Sequence, residues 1–417
     1  MPDPRRPGAV IVTSTRTDLL ENTSRQRARK GPVYVFNPSG LGNLPSTITF
    51  SPLTGCEDPT VASIRAGDML SATARNPGDE QRHWLSLARS ALASLMHAAA
   101  LNEGSMWDVR AWVADPEQAA PLVMRILSRS PQRVFDADAA QFFSRTDRGR
   151  SSVCATIQPA LEWLTDPKAE PATRSGGFDV ARFLAERGTL HLLGAEDALL
   201  APVVTALTGH IAREARRIAS TMPKGRLDPP LTLALDEAAL ICPIPLDMWT
   251  ADMGGRNITI HIRAQSKAQL AQRWGDNGAR AIFNNAATII VFGGTRDVNE
   301  LADYSALIGD IPGSRERILS AAQIAQLPFG HAVLIRRGMA PVVGRTLMVW
   351  HRGRLRRRLE PVTQVCVALQ SRIARRIRRP APVVVTRKPI AALPAGRPRP
   401  EVDALLLTTT GQTGERT

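Results

Sequence analysis

Short apolar runs alternate with stretches of helical periodicity through most of this chain. Ala9–Thr13 (AVIVT) reads as a short buried strand, Asp18–Lys30 as a polar helix, and Val33–Phe36 (VYVF) as the next strand, closed by the turn Asn37-Pro38-Ser39-Gly40. From Val61 to Asp166 no run has strand character. Apolar residues recur there at helical spacing, so that Trp84, Leu87, Ala91 and Leu95 fall on one face. Strand-like runs return at Thr189–Leu193, Leu231–Leu235, Ile258–Ile262 and Thr288–Phe292, with a long amphipathic helix from Ala195 to about Met222. The stretch HAVLIRRGMAPVVGRTLMVW reads as a strand pair. Strands separated by helices predict an α/β protein with a parallel sheet, and β-α-β within the first 36 residues fits such a sheet. The helical stretch interrupts it. The expected divisions are 1–58 and 176–350 for the sheet domain, 59–175 for an all-α insertion, and 351–417 for a tail. Trp84, Trp107, Trp112 and Trp163 are expected to anchor the core of the insertion.

Composition narrows the class. Apolar residues make up 43% of the 417, which suits a globular protein with a large core. No run approaches the roughly 20 apolar residues of a membrane helix, and MPDPRRPGAVIV is not a signal peptide. Cys56, Cys154, Cys242 and Cys366 stand singly, without the spacing of a zinc site or a disulfide framework, which fits a reducing, cytoplasmic setting. The net charge of +15 is placed unevenly. Residues 351–417 hold 15 Lys+Arg against 4 Asp+Glu, whereas residues 60–175 hold 13 of each. The basic runs contain Arg356, Arg357, Arg358, Arg375, Arg376, Arg378 and Arg379, residue types that bind phosphate backbones or anionic lipid heads. A solvated, disordered tail is the plainer alternative.

The candidate chemistry sits where the apolar runs end. LTLAL is followed by Asp236 and Glu237, ITIHI leads to Gln265, and TIIVF ends in Gly293-Gly294. Three strands in a row with polar groups at their carboxyl ends describe the ligand edge of a parallel sheet. Aliphatic residues followed by Asp-Glu have the shape of a Walker B motif, in which the aspartate holds the magnesium ion of a nucleotide and the glutamate orients the attacking water. Each residue also has an ordinary role: Asp236 as a helix cap, Glu237 as a first-turn acid, Gln265 as a loop residue. The other half of such a site, G-x-x-x-x-G-K-[ST], is missing, since the sequence has no Gly-Lys dipeptide. No G-x-S-x-G or H-E-x-x-H motif points to a serine or metal hydrolase.

The order of these motifs resembles the TraG/TraD-type coupling proteins of conjugation and type IV secretion, which are RecA-like ATPases. The resemblance rests on GAVIVTSTRTDLLENTSRQRARKGPVYVFNPSG, SPLTGCEDP, LALDEAALICPIP, RAQSKAQLAQRWG and IFNNAATIIVFGGTRDVNELADYSALIG, and spans about residues 8–345. It implies a RecA-like parallel sheet with an inserted all-α domain and a basic, disordered C-terminal tail. It also implies ATP and Mg²⁺ as cofactors, with Asp236 holding the metal directly or through water, Glu237 activating water and Gln265 sensing the γ-phosphate. The partners it implies are single-stranded DNA with a relaxase, secretion-channel components and, for a complete protein, further copies in a hexamer. The location it implies is the cytoplasmic face of the inner membrane.

The departures from the family pattern matter equally. The family's membrane helices and P-loop would lie before Met1, and an upstream start, a separate gene product or a degenerate relative would each account for that. At the position of the arginine that reaches a neighbouring subunit, this chain has Met253-Gly254-Gly255-Arg256-Asn257, and only Arg256 matches. Two functions are therefore expected: the cytoplasmic part of a DNA-pumping coupling ATPase, or a non-catalytic adaptor that binds DNA or relaxase without ATP turnover.

Overall fold

The computed structural model describes residues 8–131, 133–174, 176, 178–194, 198–346 and 407–409. By contacts the chain divides into two units, one of residues 2–287 with 407–417, the other of residues 288–406.

In the larger unit, parallel strands lie in the order β2 (Val33–Phe36), β3 (Thr189–Leu193), β1 (Ala9–Ser14), β4 (Leu231–Asp236) and β5 (Ile258–Arg263). The α/β RecA-like sheet expected from the sequence is thus present. Sequence order did not reveal that β1 and β2 are not neighbours. β3, which arrives only after the helical insertion, pairs with both, Thr189 lying opposite Val10 on one side and Val33 on the other. Every residue of β3 is buried, while β4 and β5 alternate buried and half-exposed positions. Ile11, Leu190, Leu192, Leu233, Leu235, Ile260 and Ile262 form the apolar centre of the sheet.

Helix α1 (Asp18–Arg27) links β1 to β2. The insertion consists of α2 (Pro59–Thr73), α3 (Asp79–Leu101), α4 (Met106–Ala114), α5 (Pro116–Leu127), α6 (Phe135–Phe143), α7 (Asp147–Leu161) and the short α8 (Glu170–Thr173). Asp58 caps α2 by accepting from the Thr60 amide, and Pro59 opens it, a pairing that suits a helix start. The long α3 buries Ala88, Ala91, Leu92, Leu95, Met96 and Ala99 against its neighbours. Trp163 and Trp112 are core residues and Trp84 packs half-buried against the core. Trp107 is not an anchor: it is 47% exposed, with the Arg110 guanidinium 5.4 Å above its ring. Helical periodicity cannot distinguish a tryptophan on the buried stripe from one beside it. After α9 (Val180–Ala185) and β3, helix α10 (Ala201–Thr221) meets the insertion. There Arg213 grips both oxygens of the buried Asp68 on α2 at 2.5 Å. Beyond β4 follow α11 (Ala238–Ile241), α12 (Leu246–Asp252) and, after β5, α13 (Lys267–Asn285).

The smaller unit holds β6 (Thr288–Phe292), α14 (Val298–Ile308), α15 (Ala321–Ala325), β7 (His331–Arg336) and β8 (Val342–Arg345). The expected strand pair forms as the antiparallel β7 and β8. β6 pairs antiparallel with β7, and β9 (Leu407–Thr409) lies antiparallel along β5. Within β6 only Val291 is buried. Apart from β9, the tail and its seven candidate arginines lie outside the described residues.

Candidate functional site at the carboxyl edge of the sheet

Because β1, β4 and β5 run in the same direction, their carboxyl ends finish side by side. Thr13 lies opposite Leu235, and Asp236 opposite Arg263. The Thr13 hydroxyl donates to the Asp236 carbonyl at 2.8 Å, which ties the end of β1 to the end of β4. At Glu237 the backbone turns left-handed, with φ 52° and ψ 40°, and leads into α11. This turn brings the Glu237 carboxylate back over β1, where its Oε2 accepts from the Thr15 hydroxyl at 2.6 Å. A non-glycine residue in this region costs of order 1 kcal/mol, and such residues gather where function demands a geometry.

The Asp236 side chain is 17% exposed. One guanidinium nitrogen of Arg263 donates to both of its oxygens, at 3.0 and 3.2 Å. Partial burial pushes the Asp236 carboxyl above its usual range. The Arg263 charge opposes the rise, and the neighbouring Glu237 and Asp18 charges add to it. A carboxylate raised by desolvation and set beside a single cation at a sheet edge is a pattern common at functional sites. Gln265 is exposed just beyond β5, its amide donating to Gln269 Oε1 at 3.0 Å. Ser266 caps α13 by accepting from the Gln269 amide at 3.2 Å. Asp236, Glu237 and Gln265, singled out in the sequence, thus stand at one edge with Thr15 and Arg263.

Arg256 does not stand with them. It closes a 3-10 turn before β5, at the amino end of that strand, so roughly 20 Å of strand separates it from the carboxyl edge. Its Nε donates to Asp252 at 3.2 Å, and Asp252 also pairs with Arg216 at 2.7 Å. Asn285 bonds the Thr250 hydroxyl at 3.1 Å, a structural tie at the end of α13.

Thr15 and Arg263 were missed in the sequence. Each is the polar residue at or just past the end of an apolar run, which is a signal, but only the strand register joins them to the carboxylates. The buried thiols offer no nucleophile: burial pushes Cys56 and Cys242 up to about 12, and Cys154 is raised as well.

No group of three or more His, Cys, Asp or Glu able to hold a metal is found among the described residues. Magnesium needs less, being held by one or two carboxylates together with phosphate oxygens and water. The edge carries one such carboxylate in Asp236, with the Glu237 carboxylate next to it, and the Arg263 guanidinium already stands where a cation neutralises Asp236. The donor set therefore fits magnesium. No helix among the described residues is long and apolar enough to cross a membrane.

A parallel RecA-like sheet, interrupted by a helical insertion and carrying neighbouring carboxylates at its carboxyl edge, makes this an α/β protein. Residues 230–318 match the family described as the TraM recognition site of TraD and TraG. The fold is similar to that of the bacterial conjugative coupling protein TrwB in its unbound form, at 19% identity, covering 82% of this chain and 79% of that one, with a TM-score of 0.63. TrwB in complex with the ATP analogue ADPNP matches with a TM-score of 0.62 at 19% identity over 82% and 79% of the two chains. TrwB in complex with ADP and Mg²⁺ matches with 0.59 at 18% identity over 83% and 87%. Curated protein sequences give no match. The matched segment and the fold together bear out the resemblance to the TraG/TraD-type coupling proteins.

Proposed function

We propose that this chain is the cytoplasmic part of a coupling protein of conjugation or type IV secretion. In this reading it recruits single-stranded DNA with its relaxase and drives it toward the secretion channel by ATP hydrolysis, working at the cytoplasmic face of the inner membrane. The observation that carries the proposal is the gathering of Asp236, Glu237, Thr15 and Gln265 at one sheet edge, three of them within the segment matched to TraD and TraG.

Thr15 fixes one oxygen of Glu237, so the other is the acceptor that orients an attacking water. Asp236 holds the metal, directly or through water, once Arg263 gives way. A bound magnesium ion supplies charge neutralisation on the transferred phosphoryl group. Gln265, fixed through its backbone at the start of α13, reports the γ-phosphate by hydrogen bonding. The phosphate-binding lysine comes from outside this stretch of chain. In a hexamer Arg256 would serve a neighbouring subunit only after leaving Asp252. The helical insertion recognises protein cargo, and the tail arginines, Arg356 to Arg358 and Arg375, Arg376, Arg378 and Arg379, neutralise DNA phosphates or a channel component.

A second reading, an adaptor that binds DNA or relaxase without turnover, is favoured by the Asp236 carboxylate already neutralised by Arg263. Titration of a fluorescent ATP analogue with Mg²⁺ and single-stranded DNA separates the two. Binding that Asp236→Ala abolishes supports the ATPase. Failure to bind at millimolar nucleotide, with DNA binding intact, assigns the chain to the adaptor class.

A further inference from the structure

Of the residues at the carboxyl edge, Arg263 has no part in the hydrolysis scheme, yet it pairs directly with Asp236. Parallel register sets it directly across from Asp236. Its guanidinium uses one nitrogen for both carboxylate oxygens rather than the two-nitrogen fork that gives arginine pairs their strength. Its own side chain is 66% exposed. Asp18 and Glu237 add negative potential around the same carboxylate, so a cation is wanted at this point whatever its source. These features describe a pair strong enough to neutralise Asp236 and weak enough to be displaced, because exposed ion pairs gain little and are screened by salt.

We infer that Arg263 is a displaceable counter-cation, holding the Asp236 carboxylate until a divalent metal ion takes it and thereby releasing the arginine at the edge where Gln265 and the start of α13 lie. The inference rests on the metal-binding reading of Asp236 given above. It makes Arg263 a positioning residue and metal entry the event that frees it. A freed guanidinium there is two residues from Gln265, within the stretch where a nucleotide's phosphates would arrive. A hard divalent ion competes well for this carboxylate, since it binds oxygen donors directly while the arginine offers only a shared N–H contact.

The test is Mn²⁺ binding by the full chain, followed through the loss of the free-ion electron paramagnetic resonance signal, in the wild type, Arg263→Gln, Arg263→Lys and Asp236→Asn. Arg263→Gln is expected to bind Mn²⁺ about fivefold more tightly than the wild type, the upper end of what an exposed pair can withhold. Arg263→Lys is expected to fall between. The gap between Arg263→Gln and the wild type should close as salt rises from about 0.05 to 0.5 M, as a screened charge competition requires and a structural role does not. Equal affinity in Arg263→Gln and wild type, or no Mn²⁺ uptake by Arg263→Gln at millimolar metal, overturns the inference. Asp236→Asn distinguishes the two levels. If it loses Mn²⁺ while Arg263→Gln gains nothing, only the displaceable arginine is wrong; if it keeps Mn²⁺, the metal-binding reading fails and takes this inference with it.

Discussion

At Glu237 one residue carries two demands that pull apart. Its left-handed backbone, φ 52° and ψ 40°, is a conformation glycine adopts freely and other residues resist. Its carboxylate, held by Thr15, is what the proposed chemistry needs. Glu237→Gly and Glu237→Ala should therefore both lose nucleotide turnover but differ in stability, the glycine variant being more stable than the alanine variant by about 1 kcal/mol. Urea unfolding of the two variants side by side measures that gap, and equal midpoints would mean that the turn is not strained. At this scale the sequence disclosed a good deal. Asp236, Glu237 and Gln265 were readable because each follows an apolar run, and polar residues at the carboxyl ends of parallel strands face the ligand edge. Thr15 and Arg263 were hidden because their meaning depends on which strand lies beside which, and that information is carried by register rather than by spacing. Trp107 shows the same limit from the other side: its residue type suggested burial, and its position on α4 leaves it in water.

Among the elements, α13 joins two regions. Its first residue follows the Ser266 cap beside the candidate site. Further along, Arg273 donates to the Ala74 carbonyl at 2.9 Å, and Trp274 to the Ile244 carbonyl at 2.9 Å, so the helix touches both the end of α2 and the segment after α11. It is broken at Gly275, with φ 73° and ψ 167°, a region open essentially to glycine alone. A Cβ there would stand 2.9 Å from the Asn76 side-chain oxygen. Gly275→Ala is expected to lower stability by about 1–3 kcal/mol, seen as a lower thermal midpoint; an unchanged midpoint would mean that the break is not needed. The strands and most helices were legible as periodic runs, but this interruption was not. KAQLAQRWGDNGARAIFNN reads as one amphipathic helix, and a lone glycine within such a pattern does not announce a change of direction. Sheet order was equally out of reach. β3 separates β1 from β2 through contacts made across the whole insertion.

For the whole molecule, acid is the expected weakness. His191 is fully buried in β3, and neither ring nitrogen has a hydrogen-bond partner among the described residues. Burial, helped by the Arg27 charge, lowers it to about 4. His210, stacked on Phe50 at 5.7 Å, is lowered to about 4 by burial and by Arg65. Both rings are neutral in the fold, whereas in the unfolded chain they take up protons below about 6.5. The unfolded state therefore binds more protons as pH falls, and stability is lost from about pH 6.5 down to about 4, with no further loss from these groups below that. His191→Leu should narrow the difference in unfolding free energy between pH 7 and pH 5 by roughly 1–2 kcal/mol, measured by urea unfolding at both values. An undiminished difference would place the acid sensitivity elsewhere.

The position of β3 also fixes an order of events during synthesis. Among the described residues β2 pairs with β3 alone, and Val33 meets Thr189 across 156 intervening peptide bonds (189 − 33). As the chain leaves the ribosome, β1 and β2 emerge before β3 and do not pair with each other. The helices of the insertion are made before residue 189, and only afterwards can β3 pair with β1 and β2, while the seat of α2 against α10 waits for residues 201–221. A nascent chain halted anywhere in the insertion carries helices beside strands whose β3 partner has not yet been made, the kind of exposed surface on which misassembly begins.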